Sequence, residues 1–211
     1  LQPLIHSMIN DRYVNFLSHR KTTLYIGTNE GLYAYDYINN QCDLCSPLLK
    51  SKNIIAYQCN SDYQIVATDR EVFLFDYNWN FIHKITIYKE SLNNHITSMA
   101  IYGNQEVLLG TESGLVIIHI GNDDKTKINT LYSGDKIVQL FIDSRNKLWI
   151  CRGEEILYSN IDTLDSVEIS EFKHIAYNHE VISFFEYANQ VWVGTRGYGI
   201  SIYEYDHSEK V

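Results

Sequence analysis

Five basic residues recur along this chain at intervals of close to forty: Arg12, Lys52, His95, Lys136 and His179. They stand out because the 211-residue sequence is acidic, with 26 Asp and Glu against 17 Lys and Arg and a net charge of −9. Basic groups repeated at a fixed period and gathered on one face would focus a positive field there. Such a field draws an anion, for example a sulfate or a uronate sugar, through charge-assisted hydrogen bonds. The competing reading is that solvated loops simply carry Lys, Arg and His. A shift of one residue in register would also put Tyr13, Asn53 and Glu180 in place of Arg12, Lys52 and His179. A second polar set, Asn29, Glu30, Asp69, Arg70, Glu112 and Arg196, could hydrogen-bond hydroxyl groups or serve as ordinary turn residues.

Other chemistry is poorly represented. There is no Gly-x-Ser-x-Gly elbow, no His-Glu-x-x-His helix and no glycine-rich phosphate loop. The eight histidines are scattered, and His119 and His174 sit in strand-like segments as structural residues. Cys42-x-x-Cys45 has the spacing of half a zinc knuckle, but no second Cys/His pair follows, so neither a metal nor another cofactor is expected. A Cys42–Cys45 disulfide and an inert pair both remain open, while Cys59 and Cys151 read as small buried hydrophobes. Trp149 and Trp192 fall in apolar runs and read as packing residues, whereas Trp79, in Tyr77-Asn78-Trp79-Asn80, is either an exposed aromatic or a loop anchor. The acidic balance argues against a nucleic-acid or anionic-membrane binder. No apolar run approaches the ~18 residues needed to cross a bilayer. The opening Leu1-Gln2-Pro3 reads as structured sequence rather than a secretory signal.

The elements that would position these residues come from a repeat. Leu24-Tyr25-Ile26-Gly27-Thr28, Gln64-Ile65-Val66-Ala67-Thr68, Val107-Leu108-Leu109-Gly110-Thr111, Leu148-Trp149-Ile150-Cys151-Arg152 and Val191-Trp192-Val193-Gly194-Thr195 are five copies of one strand. Their anchors, Gly27, Ala67, Gly110, Cys151 and Gly194, are spaced by 40, 43, 41 and 43 residues. The basic residues lie fifteen positions before each anchor. A turn and a second strand follow every anchor, as in Asn29-Glu30-Gly31 and then Leu32-Tyr33-Ala34-Tyr35-Asp36. A shorter apolar run precedes each: 14–17, 54–57, 96–101, 137–142 and 181–185. A fourth, alternating strand is expected at 81–88, 126–132 and 166–172.

Four strands in about 42 residues match one blade of a β-propeller, whose sheets pack face to face. The expectation is therefore an all-β chain of five four-stranded blades forming a single propeller domain or segment over residues 1–211. A two-sheet sandwich would need no fixed period. Residues 1–9 fall in the phase of a fourth strand and could complete the last blade, so a closed five-bladed ring and an excerpt of a larger ring of six to eight blades both fit.

The stretch Leu24-Tyr25-Ile26-Gly27-Thr28-Asn29-Glu30-Gly31-Leu32-Tyr33-Ala34-Tyr35-Asp36 resembles the two-component regulator propeller repeat, roughly L-W-I-G-T-x-x-G-L-x-x-Y-D. Ile142-Asp143-Ser144-Arg145-Asn146-Lys147-Leu148-Trp149-Ile150 is similar to the segment leading into that repeat. The likeness is good in units 1, 3 and 5, partial in unit 4, where Cys151-Arg152 replaces Gly-Thr, and weak in unit 2. The resemblance implies a non-catalytic, periplasmic sensor region of an inner-membrane hybrid two-component system of gut Bacteroidetes. It implies an oligosaccharide ligand, adjoining propeller and immunoglobulin-like domains, a homodimeric full-length sensor, and kinase activity outside these residues. A protein-interaction scaffold and a polysaccharide lyase or hydrolase built from dispersed acids are the alternatives.

Overall fold

The computed structural model describes residues 9, 11–87, 95–121, 126–162, 164, 168–176 and 179–205. It is all-β, with nineteen strands in five antiparallel meanders among the described residues. The chain divides into two compact units, Leu1–Tyr88 and Lys89–Val211.

The first unit holds two sheets. The first comprises β1 (Val14–Arg20), β2 (Thr23–Thr28), β3 (Gly31–Asp36) and β4 (Gln41–Leu44), and the second β5 (Ile54–Cys59), β6 (Gln64–Thr68), β7 (Glu71–Phe75) and β8 (Phe81–Thr86). Tyr25 and Leu32 of the first sheet pack on Ile54, Tyr57, Val66, Phe73 and Phe75 of the second. Leu49 joins this core from a short 3-10 turn, Pro47–Leu49, whose first residues are capped by Ser46.

The second unit holds three sheets. They are β9 (Ile96–Tyr102) to β12 (Lys127–Ser133), with β10 (Glu106–Thr111) and β11 (Gly114–His119) between; β13 (Gln139–Ile142), β14 (Lys147–Arg152), β15 (Glu155–Asn160) and β16 (Lys173–Ala176); and β17 (Val181–Tyr187), β18 (Gln190–Thr195) and β19 (Ile200–Glu204). Leu108, Leu115 and Ile117 of the third sheet meet Leu140, Leu148, Ile150 and Leu157 of the fourth. Trp149, Cys151 and Ile156, on the other face of the fourth, meet Val191 and Val193 of the fifth. Burying both faces explains the unbroken apolar runs in the central strands.

Every anchor is the next-to-last residue of its strand, so the five copies share one register. The expected N-terminal strand falls, apart from Ile9, outside the described residues, and the fifth sheet has three strands among the described ones. One strand lies elsewhere than the sequence pattern suggests. The fourth strand of the fourth sheet is Lys173–Ala176, not 166–172, because Ile169–Glu171 form a 3-10 turn that carries Phe172 into the core.

The small anchor residue has a specific cause. A Cβ at Gly27 would run into the ring of Phe16, and one at Gly194 into the hydroxyl of Ser183; both are cross-strand partners in the same sheet. Only at Gly110 does the neighbouring sheet also intrude, with Ile137 Cγ2 2.8 Å from the added atom. Beside the anchor the innermost strand carries a register shift in four sheets, between Val14 and Phe16, Ile54 and Ala56, opposite Gly110/Thr111, and between Val181 and Ser183. This bulge turns the strand at its end. The extra residue is put to use: Asn15 Nδ2 donates to the carbonyl of Ile54, in the following sheet, at 2.8 Å, and Thr97 Oγ1 to that of Ile137, in the segment leading into the following sheet.

Candidate functional site

In the first, third and fifth sheets the loop before the innermost strand and the turn after the anchor are tied together by the backbone. The N–H of Asn29 donates to Tyr13 O at 3.1 Å, that of Glu112 to His95 O at 3.0 Å and that of Arg196 to Glu180 O at 2.9 Å. Tyr13, His95 and Glu180 therefore hold equivalent positions, and Arg12 and His179 lie one residue earlier. The cause is the inner hairpin. It closes with two residues between Arg20 and Thr23 and between Tyr187 and Gln190, but with three between Tyr102 and Glu106. Positive φ at Ala188 and Asn189 marks the tighter turn type.

A hydroxyl that sequence reading passed over fixes the outer turn. Thr28 Oγ1 donates to Gly31 O at 2.8 Å while accepting from Glu30 N at 3.1 Å. Thr68 and Thr111 make the same pair of bonds to Glu71 and to Gly114 and Ser113, and Thr195 donates to Gly199 O. The signal was the Thr that follows four of the five anchors. These turns present the polar side chains.

Three of the five basic residues are engaged by carboxylates of those turns. Arg12 meets Glu30 at 3.3 Å, Lys52 meets Glu71 at 2.7 Å, and Lys136 meets Glu112 at 2.8 Å. Glu71 accepts from Lys84 as well, at 2.8 Å, and the bonds from Lys52 and Lys84 hold its carboxyl below the usual range. His179 stacks on Tyr198 with ring centres 3.7 Å apart. The neighbouring Glu180 binds Arg196 through both oxygens, at 2.7 and 3.3 Å, which lowers the Glu180 carboxyl pKa and raises that of the guanidinium. Alternating donors and acceptors of this kind suit a hydroxyl-rich ligand better than a bare anion.

The unit that replaces both residues of the Gly-Thr pair, with Cys151-Arg152, borders a cavity of about 470 Å³. Leu131, Tyr132, Arg152, Glu168, Ile169, Ser170 and His174 line it, all within the second unit. Arg152 is held by Glu155 at 2.8 Å and donates to the Tyr132 hydroxyl at 3.1 Å, with its guanidinium 5.7 Å from the Tyr132 ring centre. The Glu155 bond raises the Arg152 pKa and lowers that of Glu155. The size is that of a small-ligand pocket, and the lining combines an aromatic ring and aliphatic groups with a few fixed hydrogen-bonding side chains. Nothing in the spacing pointed to this place except the broken repeat.

The remaining sequence candidates are structural. Trp79 packs among Tyr25, Tyr57 and Phe75, with ring centres 5.4 to 6.0 Å away, and so anchors its loop. Trp149 is buried, and its indole N–H donates to Asp143 Oδ2 at 2.8 Å, while Asp143 Oδ1 accepts from the backbone of Arg145 and Lys147. His119 pairs with Glu106 at 3.2 Å across two strands, and His174 faces the cavity. Cys42, Cys45, Cys59 and Cys151 are free, and burial pushes the Cys151 thiol up to about 11. Among the described residues no three His, Cys, Asp or Glu side chains converge as a metal site requires. Nor is any helix long and apolar enough to cross a membrane.

No protein-family model matches the chain, and no curated protein does. Solved structures do. The extracellular domain of BT3049 of B. thetaiotaomicron, assigned as a hybrid two-component system, is 17% identical with a TM-score of 0.66, over 90% of this chain and 27% of that one. That of BT4673 of the same organism, assigned as a one-component system, is 20% identical with a TM-score of 0.57, over 86% of this chain and 26% of that one. The computationally designed protein Ika8 is 13% identical with a TM-score of 0.61, over 90% of this chain and 57% of that one. The chain has the β-propeller fold. It spans between a quarter and three fifths of these matched chains.

Proposed function

We propose that this chain is the extracytoplasmic, ligand-sensing part of a two-component regulator, and that it binds a polysaccharide fragment without turning it over. The observation that carries the reading is the pairing of two independent likenesses. The Gly-Thr-x-x-Gly-Leu repeat resembles that of the two-component regulator propellers, and the fold is that of the extracellular domains of BT3049 and BT4673. The surface chemistry fits a carbohydrate. In the first unit Arg12 and Lys52 offer donors beside the acceptors Glu30 and Glu71, in the second Lys136 does so beside Glu112, and the second unit's cavity at Arg152 is large enough for one sugar ring. In that cavity Tyr132, Leu131 and Ile169 cover the apolar face of the sugar, while Arg152, Ser170 and Glu168 bond its hydroxyls or a carboxylate.

The test is calorimetric titration with a panel of neutral, uronate-bearing and sulfated oligosaccharides, followed by Arg152→Ala and by charge reversal at Lys52 and Lys136. Saturable binding to one glycan class, weakened at least tenfold by Arg152→Ala, is the expected result. Absence of binding across the panel, in a protein that carries no membrane span and no kinase or regulator domain, overturns the proposal.

A further inference from the structure

The cavity at Arg152 is walled by an aromatic ring pinned at its far end. Tyr132, in β12, is half-buried against the core shared by the third and fourth sheets. Its hydroxyl makes three hydrogen bonds. It accepts from Arg152 Nη1 at 3.1 Å and from the backbone N–H of Asp135 at 3.3 Å, and it donates to Asp135 Oδ2 at 3.4 Å. Gly134 makes this fold-back possible, since a Cβ there would stand 2.5 Å from the hydroxyl oxygen and 2.8 Å from Cζ of the ring. The N–H of Gly134 is fixed in turn, donating to Ser113 O at 3.1 Å. A ring held in place before a ligand arrives gives up little entropy on binding, and its face offers a ready platform for the C–H face of a sugar.

The charges around that ring are mostly carboxylates. Glu168 lines the cavity, and Arg152 has Glu155 at 2.8 Å and Asp135 at 3.9 Å. His174 is the other basic group of the lining, so the cavity and its immediate partners hold three carboxylates against two basic groups, even with that histidine protonated. The lysines beside these segments are directed elsewhere: Lys173 Nζ lies 5.9 Å from the ring centre of Tyr158, and Lys136 pairs with Glu112. Given the carbohydrate reading above, on which this rests, we infer that the cavity selects a neutral pyranose ring and rejects uronate and sulfated sugars. Tyr132 stacks on the apolar face of that ring. Arg152 is a positioning residue: its charge is met by Glu155, and it aims Tyr132 instead of pairing with a ligand anion. An acidic sugar would add negative charge where there is already a surplus, and repulsion of this kind is how a site turns away a competitor of the same shape.

Calorimetric titration with neutral, uronate-bearing and sulfated oligosaccharides of equal length tests the inference. The neutral sugar should bind roughly tenfold more tightly than either acidic one. Tyr132→Ala should abolish that binding. Tyr132→Phe, which keeps the bulk of the ring and stands in if the alanine variant fails to fold, should weaken it several-fold by releasing the clamp. Glu155→Gln keeps the shape of the side chain while unmasking the guanidinium charge, and should move the preference about threefold or more toward the uronate. A merely structural role for the Arg152–Glu155 pair would not shift that ratio. Acidic sugars bound as tightly as the neutral one, parental affinity in the Tyr132 variants, or a preference that Glu155→Gln leaves unmoved overturns the inference while the sensing proposal stands. Absence of binding to all three sugar classes overturns the inference and the carbohydrate reading together.

Discussion

The fourth and fifth sheets are written in the same pattern and live in different surroundings. Trp149 and Trp192 occupy one repeat position, Ile156 and Ile200 another, and both pairs keep the same strand register. Yet Ile156 is sealed and Ile200 is open. The repeat thus specifies pairing and facing within a sheet, while the energetic weight of a residue is set by what lies against it. An identical side chain contributes a core contact in one copy and a surface patch in the next.

The largest effect that would sharpen this contrast is at the isoleucines. Ile156→Ala should cost roughly 2–5 kcal/mol in urea unfolding, the range for a truncated core side chain. Ile200→Ala should fall within about 0.5 kcal/mol wherever its face is bare. Costs of similar size at both positions would mean that Ile200 is packed as Ile156 is, and would remove the contrast.

The anchor glycines give a smaller difference. Gly110→Ala must displace Ile137 as well as the Ser98 hydroxyl, and overpacking of this kind costs about 1–3 kcal/mol. Gly194→Ala meets only the Ser183 hydroxyl, which can rotate away, so its melting temperature should stay close to that of the parent. Equal losses at both sites would mean that the same-sheet contact, not the neighbour, dictates glycine.

The smallest effect lies in the charges. The Glu71 carboxyl is held below its ordinary pKa by Lys52 and Lys84, so its contribution is present above the unfolded value of about 4.3 and is lost as pH falls through the lower, folded one. Acid titration of stability should therefore be shallower in Glu71→Gln, by ~0.2–1 kcal/mol, a typical worth for a part-exposed pair. Glu180→Gln should leave the curve unmoved, since that pair sits in water.

Much of this architecture could be read from the chain because its period is rigid. Gly27, Ala67, Gly110, Cys151 and Gly194 fall where a five-copy alignment puts them, and the Thr after the anchor makes its turn bond in the four copies that have one. What the sequence left open or hid was set by single residues that a period cannot count. A two- rather than three-residue inner hairpin moves Arg12 and His179 off the position held by His95. The 3-10 turn at Ile169–Glu171 displaces a short strand that has little apolar signal of its own. The cavity was invisible because Leu131, Arg152 and His174 come from different strands and meet only in the fold. Trp79 stayed open between exposed aromatic and loop anchor for a related reason, since its neighbours Tyr77, Asn78 and Asn80 are exposed while its ring packs on Tyr25 and Tyr57.

The bulged residues of the innermost strands carry a consequence for how the protein comes apart. Asn15 and Thr97 each reach out of their own sheet to a main-chain carbonyl beyond it, at Ile54 in β5 and at Ile137 in the segment leading into β13. A side chain that leaves its own sheet to satisfy a neighbour's backbone makes each sheet a nearest-neighbour stakeholder in the other, as in linear repeat proteins whose stability is a chain of couplings. Opening of β5 exposes the acceptor that Asn15 holds, and displacement of the segment leading into β13 does the same for Thr97. Within each of these pairs, then, protection of the amides from exchange is expected to be lost together, so that fraying at one edge propagates inward by steps the size of a blade.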